Sequence, residues 1–456
     1  LDTAGDDRNK PSSHVHNSVS VCQLQFSAVE VGRLVTSQSP SLQGPGSNWC
    51  RDRTFALEVR RSVSIGILES GWTTFLLLIA VQFFDFGPFL KGLIVISMQL
   101  GLLLSPLCVS LTQKMGWTAG MGAARVAWVG CGGFVLATLG TDPWMFVLGS
   151  MFGMMGASAS IPLLTQIYQE NYSSKERGDL FSRAVIVRML SMIVFSWLGG
   201  LWLDAYMDQF QVMMGVFAIA SGLAALWSGK FPSTKLHGVT SSKPWSGMRH
   251  VRCDKVFRWV LVSWMFMGIG NLILLPLRVE FLANPVYGME MSPLIIALAV
   301  GIIPNATRLL FARMWGRLFD SMNFFVLRII INLFFVAGAL GFFIIGGLTG
   351  VYLGGFLLGM GMAGGDVAWS LWVTKIAKPE LVAEYMGVHT FLTGIRGVLA
   401  PFLGFYLALY FPMSCIAIGA ILMILVASAL LLPEARSFYR RRQGKQLEPK
   451  PPGLQE

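Results

Sequence analysis

Apolar positions along this chain form long unbroken blocks, and polar residues collect in the short gaps between them. A helix that crosses a bilayer needs about 20 apolar residues. Twelve blocks are long enough: residues 63–84, 89–112, 118–140, 143–167, 180–203, 209–229, 256–279, 291–315, 323–346, 348–376, 385–409 and 411–433. The runs are continuous and lack the ten-residue alternation of a transmembrane β-strand. The pattern predicts an all-α integral membrane protein with 12 transmembrane helices.

The second six blocks echo the first. Gly149 and Gly153 return as Gly355 and Gly359 at an offset of 206, and Lys114–Trp117 returns as Ser321–Phe324 at 207. Arg188, inside an apolar block, has its counterpart in Arg396 at 208, and Gly178 and Gly387 are 209 apart. Near-constant offsets predict two parallel six-helix bundles related by pseudo-two-fold symmetry, an arrangement of one large class of secondary carriers.

Composition agrees: 54% of residues are hydrophobic and only 13% charged, with a mean hydropathy of +0.61. Such a chain uses lipid as its solvent. Lys and Arg concentrate in alternate gaps: Arg51, Arg53, Arg60, Arg61, Lys114, Lys175, Arg177, the connector from Lys230 to Arg258, Arg313, Arg317, Lys375, Lys378 and Arg440–Arg442. The other side receives little beyond Lys91 and Arg278. The positive-inside rule then places both termini inside, as expected in a bacterial-type cytoplasmic membrane. The net charge of +11 reflects this topology and contact with anionic headgroups of the lipid bilayer; no nucleic acid partner is expected.

The expected organisation is a polar segment 1–60, either disordered or a spurious N-terminal extension, then a first bundle over 61–229. A cytoplasmic linker follows at 230–255, a second bundle at 256–433 and a basic cytoplasmic tail at 434–456. Within the linker, Trp245, Val251 and Val256 among Arg249, Arg252 and Lys255 suit a short helix on the membrane surface. His14, His16, Cys22 and Cys50 match no zinc spacing, and the other cysteines are scattered, so no metal and no cofactor is expected. No nucleotide-binding glycine loop is present. His389 stands without a nucleophile beside it, and the chain is not expected to be an enzyme.

The six-plus-six layout with its central connector resembles the major facilitator superfamily over roughly residues 60–435. The segment Gly316-Arg317-Leu-Phe-Asp320 resembles that family's loop signature between the second and third spans of each half. There a small residue lets helices approach and a carboxylate meets a helix N-terminus. The equivalent first-half segment, Val109–Trp117, has neither the Gly nor the Asp. Glu176–Gly178 and Glu384–Gly387 resemble the family's charged turns, and Gly394–Gly404 is similar to a Gly/Pro-rich antiporter motif, though in the eleventh span and not the fifth. The resemblance implies that spans one, four, seven and ten line a cavity and that two, five, eight and eleven flank it.

Ionisable side chains deep in a membrane helix cost about 2.5–3.5 kcal/mol on insertion scales and mark function by default. Four stand out: Glu69, Arg188, Asp366 and Arg396. In one arrangement Glu69 or Asp366 carries a coupling proton, because an apolar setting favours the neutral form of a carboxyl, and the arginines bind an anionic solute. In the other, Glu69 pairs with Arg188 and Asp366 with Arg396, fixing helix packing. Asn271, Asn305, Arg308 and Gln99 are further hydrogen-bonding candidates, and Trp72, Trp369 and Trp372 candidate apolar walls. Arg125 and Arg328 lie near helix ends and are expected to snorkel.

These features predict a monomeric secondary active transporter that moves a small-molecule solute, polar or anionic, by alternating access with protons as the coupling ion. The alternatives are a proton-driven multidrug exporter of the same fold, a non-transporting membrane sensor or a polytopic membrane enzyme.

Overall fold

The computed structural model describes residues 45–140, 142–173, 176–235, 248–377 and 382–447. Contacts divide the chain into Leu1–Trp49 and Cys50–Glu456, and the bundles belong to the second unit. Among the described residues twelve helices are long and apolar enough to cross a membrane. They are α1 Asn48–Gln82, α2 Pro88–Lys114, α3 Ala119–Leu139, α4 Pro143–Asn171, α5 Asp179–Ala205 and α6 Met207–Gly229 in the first bundle. The second holds α7 Lys255–Ala283, α8 Pro293–Ser321, α9 Phe324–Ile345, α10 Gly347–Trp369, α11 Val388–Leu407 and α12 Met413–Arg436.

Helix starts follow local chemistry. Asp142, Asp254 and Asn323 each accept a hydrogen bond from a backbone N–H of the first turn of α4, α7 and α9, satisfying donors that a helix start leaves free. Pro88, Pro143 and Pro293 occupy first-turn positions where no N–H is needed.

The first helix starts earlier than the hydropathy pattern indicates. Helical backbone begins at Pro45, inside the segment 1–60 expected to be disordered; the rest of that expectation, with His14, His16 and Cys22, lies outside the described residues. The reason is a buried stripe of mixed polarity. Thr54, Leu57, Glu58 and Arg61, at the i, i+3, i+4, i+7 spacing of one helix face, are all at most 9% exposed. Glu58 accepts two hydrogen bonds from Arg61 at 2.8 Å, so a polar sequence makes a packed helix. In the connector, Met248–Cys253 is helical and Val251 packs against the core. Trp245 lies outside the described residues.

Glycines bring α3 onto α4 and α9 onto α10. A Cβ at Gly149 would stand 2.6 Å from the Gly133 carbonyl oxygen, and one at Gly354 would stand 2.5 Å from the Phe342 nitrogen and 2.8 Å from the Gly338 oxygen. Here 338 less 133 and 354 less 149 both give 205. The repeat therefore runs at 205 through these helices, and Gly149 corresponds to Gly354, one residue short of the partner that sequence alone suggests.

Because the helices alternate in direction, one face of the molecule carries the starts of α1, α7 and α11 and the ends of α2 and α8. This is the terminal face; the other is the far face. Hydrogen bonds and an ion pair join the bundles in the far-face half. Gln82 donates to the Met291 carbonyl at 3.0 Å, and Lys91 pairs with Glu280 at 2.7 Å. Apolar packing adds to these: Gly92 beneath Phe402, and Gly200 against Leu294 and Ala297. The bundles are closed together at the far face.

Candidate functional site

Each bundle holds one ion pair of partly buried side chains. In the first, Gly66 lets α1 lie directly on α5, since a Cβ there would stand 2.3 Å from the Arg188 carbonyl oxygen. One turn on, Glu69 Oε1 sits 3.2 Å from Arg188 Nη1, with the side chains 21% and 28% exposed. In the second, Gly359 brings α10 onto α8 at Pro304, and Arg308 Nε donates to Asp366 Oδ2. Their side chains are 24% and 47% exposed. The Glu69 charge of the first bundle also acts on Arg308 of the second.

Just past Glu69, α1 loosens into a π turn at Gly71–Phe75, and α8 does the same at Ala297–Ile302. The two irregular turns meet: a Cβ at Gly301 would lie 2.8 Å from Ser196 Oγ and 3.5 Å from Thr74 Oγ1. Single π turns inside membrane helices occur frequently at functional positions. Asn305 donates to the Gly301 carbonyl at 2.7 Å, supplying a partner within the irregular segment.

Other sequence candidates are distributed differently. Trp72 is half-buried and its indole N–H donates to the Val95 carbonyl at 2.9 Å. Asn271 is half-buried on α7 and makes no hydrogen bond to a described residue. Trp369 sits with its ring 5.6 Å from His389. Gln99 packs against Gly397 of α11. Asp366 pairs with Arg308 rather than with Arg396, because Arg396 turns inward over Gly268 and donates to the Trp264 carbonyl. Arg328 does not snorkel: it is 2% exposed and lies 3.7 Å from the Trp264 ring centroid. Arg125 stacks on Trp117 at 3.4 Å.

The loop motif is disengaged in this conformation. Nothing lies within 4 Å of a Cβ built on Gly316, Arg317 and Asp320 are exposed, and Asp320 pairs with no described residue. Along α8 the close approach to α5 is made by Leu294, Ala297 and Gly301, well before Gly316.

Lys91 and Arg278, read from sequence as stray outer charges, are buried at 6% and 5% exposure. The signal available for Lys91 was Glu280, a carboxylate near the opposite end of an apolar block.

Two six-helix bundles closed together at one face are the architecture of a membrane transporter. The sequence matches the Major Facilitator Superfamily over residues 63–401, and the chain belongs to that family. Among curated proteins it is 25% identical over 155 residues to the multidrug resistance protein MdtH of Photorhabdus laumondii subsp. laumondii. That alignment covers 33% of this chain and 38% of MdtH. Among solved structures, a variant of the nucleoside transporter NupG superposes with a TM-score of 0.69 at 15% identity, covering 83% of this chain and 99% of that one. A D-xylose–proton symporter superposes with a TM-score of 0.56 at 14% identity, covering 84% and 96%. At these identities the structures establish the fold.

Proposed function

We propose that the chain is a proton-coupled secondary transporter of a small polar or anionic organic solute, with the cleft between Glu69–Arg188 and Arg308–Asp366 as its binding and coupling site. What supports this reading is that each bundle holds one acid–base pair and that the Glu69 charge of one bundle reaches Arg308 of the other. A solute carboxylate or phosphate would compete for Arg188 or Arg308, and a proton on Glu69 or Asp366 would release the arginine it holds. Rocking of the bundles about the cleft then exposes the site to either face in turn. Trp72 and Asn271 are proposed to border the solute, and Gly316, Arg317 and Asp320 to engage when the terminal face closes. The Lys and Arg distribution supports both termini inside. The proton symporter among the structural neighbours is in keeping with proton coupling.

A second reading is proton-driven export of apolar drugs. Two observations favour it: the match to a protein named for multidrug resistance, and an apolar groove of about 410 Å³ between α1 and α5 lined by Val63, Ile67, Leu190, Val194, Phe195 and Leu198.

The deciding experiment is pH-driven uptake into proteoliposomes from a mixed metabolite pool, read by mass spectrometry. Accumulation of particular anions that collapses with a protonophore supports the first reading. Expulsion of hydrophobic cations with no anion accumulated supports the second.

A further inference from the structure

Two buried arginines of the second bundle have no acidic partner among the described residues. Arg396 on α11 and Arg328 on α9 are 5% and 2% exposed, and their charges act on each other. Among the described residues neither guanidinium has a carboxylate partner. Trp264 on α7 lies beside both, its ring centroid 3.7 Å from Arg328 and 5.8 Å from Arg396. Trp372 and His389, 0% and 1% exposed, complete the cluster with ring centroids 6.2 and 5.0 Å from Trp264. Arg396 spends two nitrogens on the Trp264 carbonyl and Thr393 Oγ1. Without a partner among the described residues are Arg396 Nε, Arg328 Nη1 and Nη2, the indole N–H groups of Trp264 and Trp372, and His389 Nε2.

Buried polar groups are nearly always satisfied, and a guanidinium cannot shed its charge in a protein. The face of Trp264 offsets part of it but accepts no in-plane hydrogen bond. The first bundle treats its arginines differently. Arg188, the sequence counterpart of Arg396, has Glu69 at 3.2 Å, and the buried Arg61 has Glu58 at 2.8 Å and the Tyr168 hydroxyl at 3.2 Å.

We infer that the second bundle binds a compact monovalent anion, of chloride or formate size, between Arg328 and Arg396, with the indole N–H groups of Trp264 and Trp372 as further donors. The donor set fixes the class. Five unspent N–H groups and two positive charges repel a metal cation, and water cannot neutralise them. The near-complete burial of every lining side chain restricts the ligand to a small ion. The anion acts as a counter-ion holding α7, α9, α11 and the turn that follows α10 together. This site is separate from the cleft, where each arginine has its own carboxylate, and it stands independently of the transport reading.

The test is thermal unfolding of the purified full chain, exchanged into sodium gluconate and titrated with sodium chloride, bromide or formate at constant ionic strength. The expected result is a saturable rise in Tm of at least about 2 °C. Arg125→Gln keeps the rise. His389→Glu removes it and raises Tm in gluconate alone, because a carboxylate there supplies the missing charge from within. If His389→Glu does not fold, Arg328→Gln must raise the half-saturating anion concentration at least tenfold. A wild-type Tm unchanged by all three salts overturns the site, as does an unaltered response in the variants that fold. Uptake measurements decide the transport reading separately, so failure here is distinguishable from failure there.

Discussion

Lys91 Nζ lies 2.7 Å from Glu280 Oε1, with the two side chains only 7% and 5% exposed, so a charge pair shielded from water ties α2 of one bundle to α7 of the other. Asn284 donates to the same oxygen at 2.8 Å. The Glu280 charge is felt in the far-face loop as well: burial first, and then that charge, push the half-buried Tyr287 phenol up to about 12. A buried pair contributes little net stability, because desolvation cancels much of the attraction, yet removing one partner strands the other at a cost of about 3–5 kcal/mol. Such a contact works as a latch, costly to break by halves.

Lys91→Met or Glu280→Gln alone is therefore expected to shift the protein toward a state with the far face open. Spin labels at Tyr206 and Val286, 47% and 83% exposed on the far-face loops of the two bundles, read the separation directly. Longer distances are expected in each single variant, and the wild-type distribution is expected again in Lys91→Met/Glu280→Leu. Identical distributions in all four proteins would show that the pair does not latch this face.

Close helix approach makes a second prediction. At Gly354 a methyl group would meet backbone atoms at 2.5 and 2.8 Å, whereas nothing lies within 4 Å of a Cβ at Gly132. Backbone cannot swing aside as a side chain can, so Gly354→Ala forces α9 and α10 apart. It is expected to cost about 1–3 kcal/mol, seen as a lowered Tm, while Gly132→Ala leaves Tm unchanged. An equal Tm in the two variants would mean that the helices accommodate the methyl group without strain.

Much of this architecture is legible in the sequence because lipid imposes a simple rule, long apolar blocks, and all twelve spans emerge from it, although α1 begins at Asn48 and not at residue 63. The failures have a common physical cause: burial of polar residues that satisfy one another. Glu58 and Arg61 hide a helical turn inside a polar stretch, Lys91 is silent until Glu280 is seen beside it, and Arg328 passes for an interfacial charge because its partner is an aromatic face. Glu69 with Arg188 was readable as a possible pair, since both stand out in apolar surroundings. Arg308 with Asp366 was not, because Arg396 on α11 offered an equally plausible partner for the same carboxylate.

The two pairs differ in a way that separates their roles. Glu69 is the less exposed acid, holds Arg188 at 3.2 Å and also acts on Arg308, so neutralising it loosens an interaction within one bundle and an attraction between the two. Asp366 is 47% exposed and holds Arg308 alone. Glu69→Gln is expected to lose proton-driven accumulation at least tenfold while keeping solute exchange at equal pH, the behaviour of a carrier that still rocks but no longer requires the proton. Asp366→Asn is expected to lose both, because no carboxylate then reclaims Arg308 and the solute anion stays bound to it. Accumulation and exchange measured side by side in proteoliposomes check this. If Asp366→Asn keeps exchange while Glu69→Gln loses it, the coupling role belongs to the second bundle; full activity of both variants would remove the two pairs from the transport cycle.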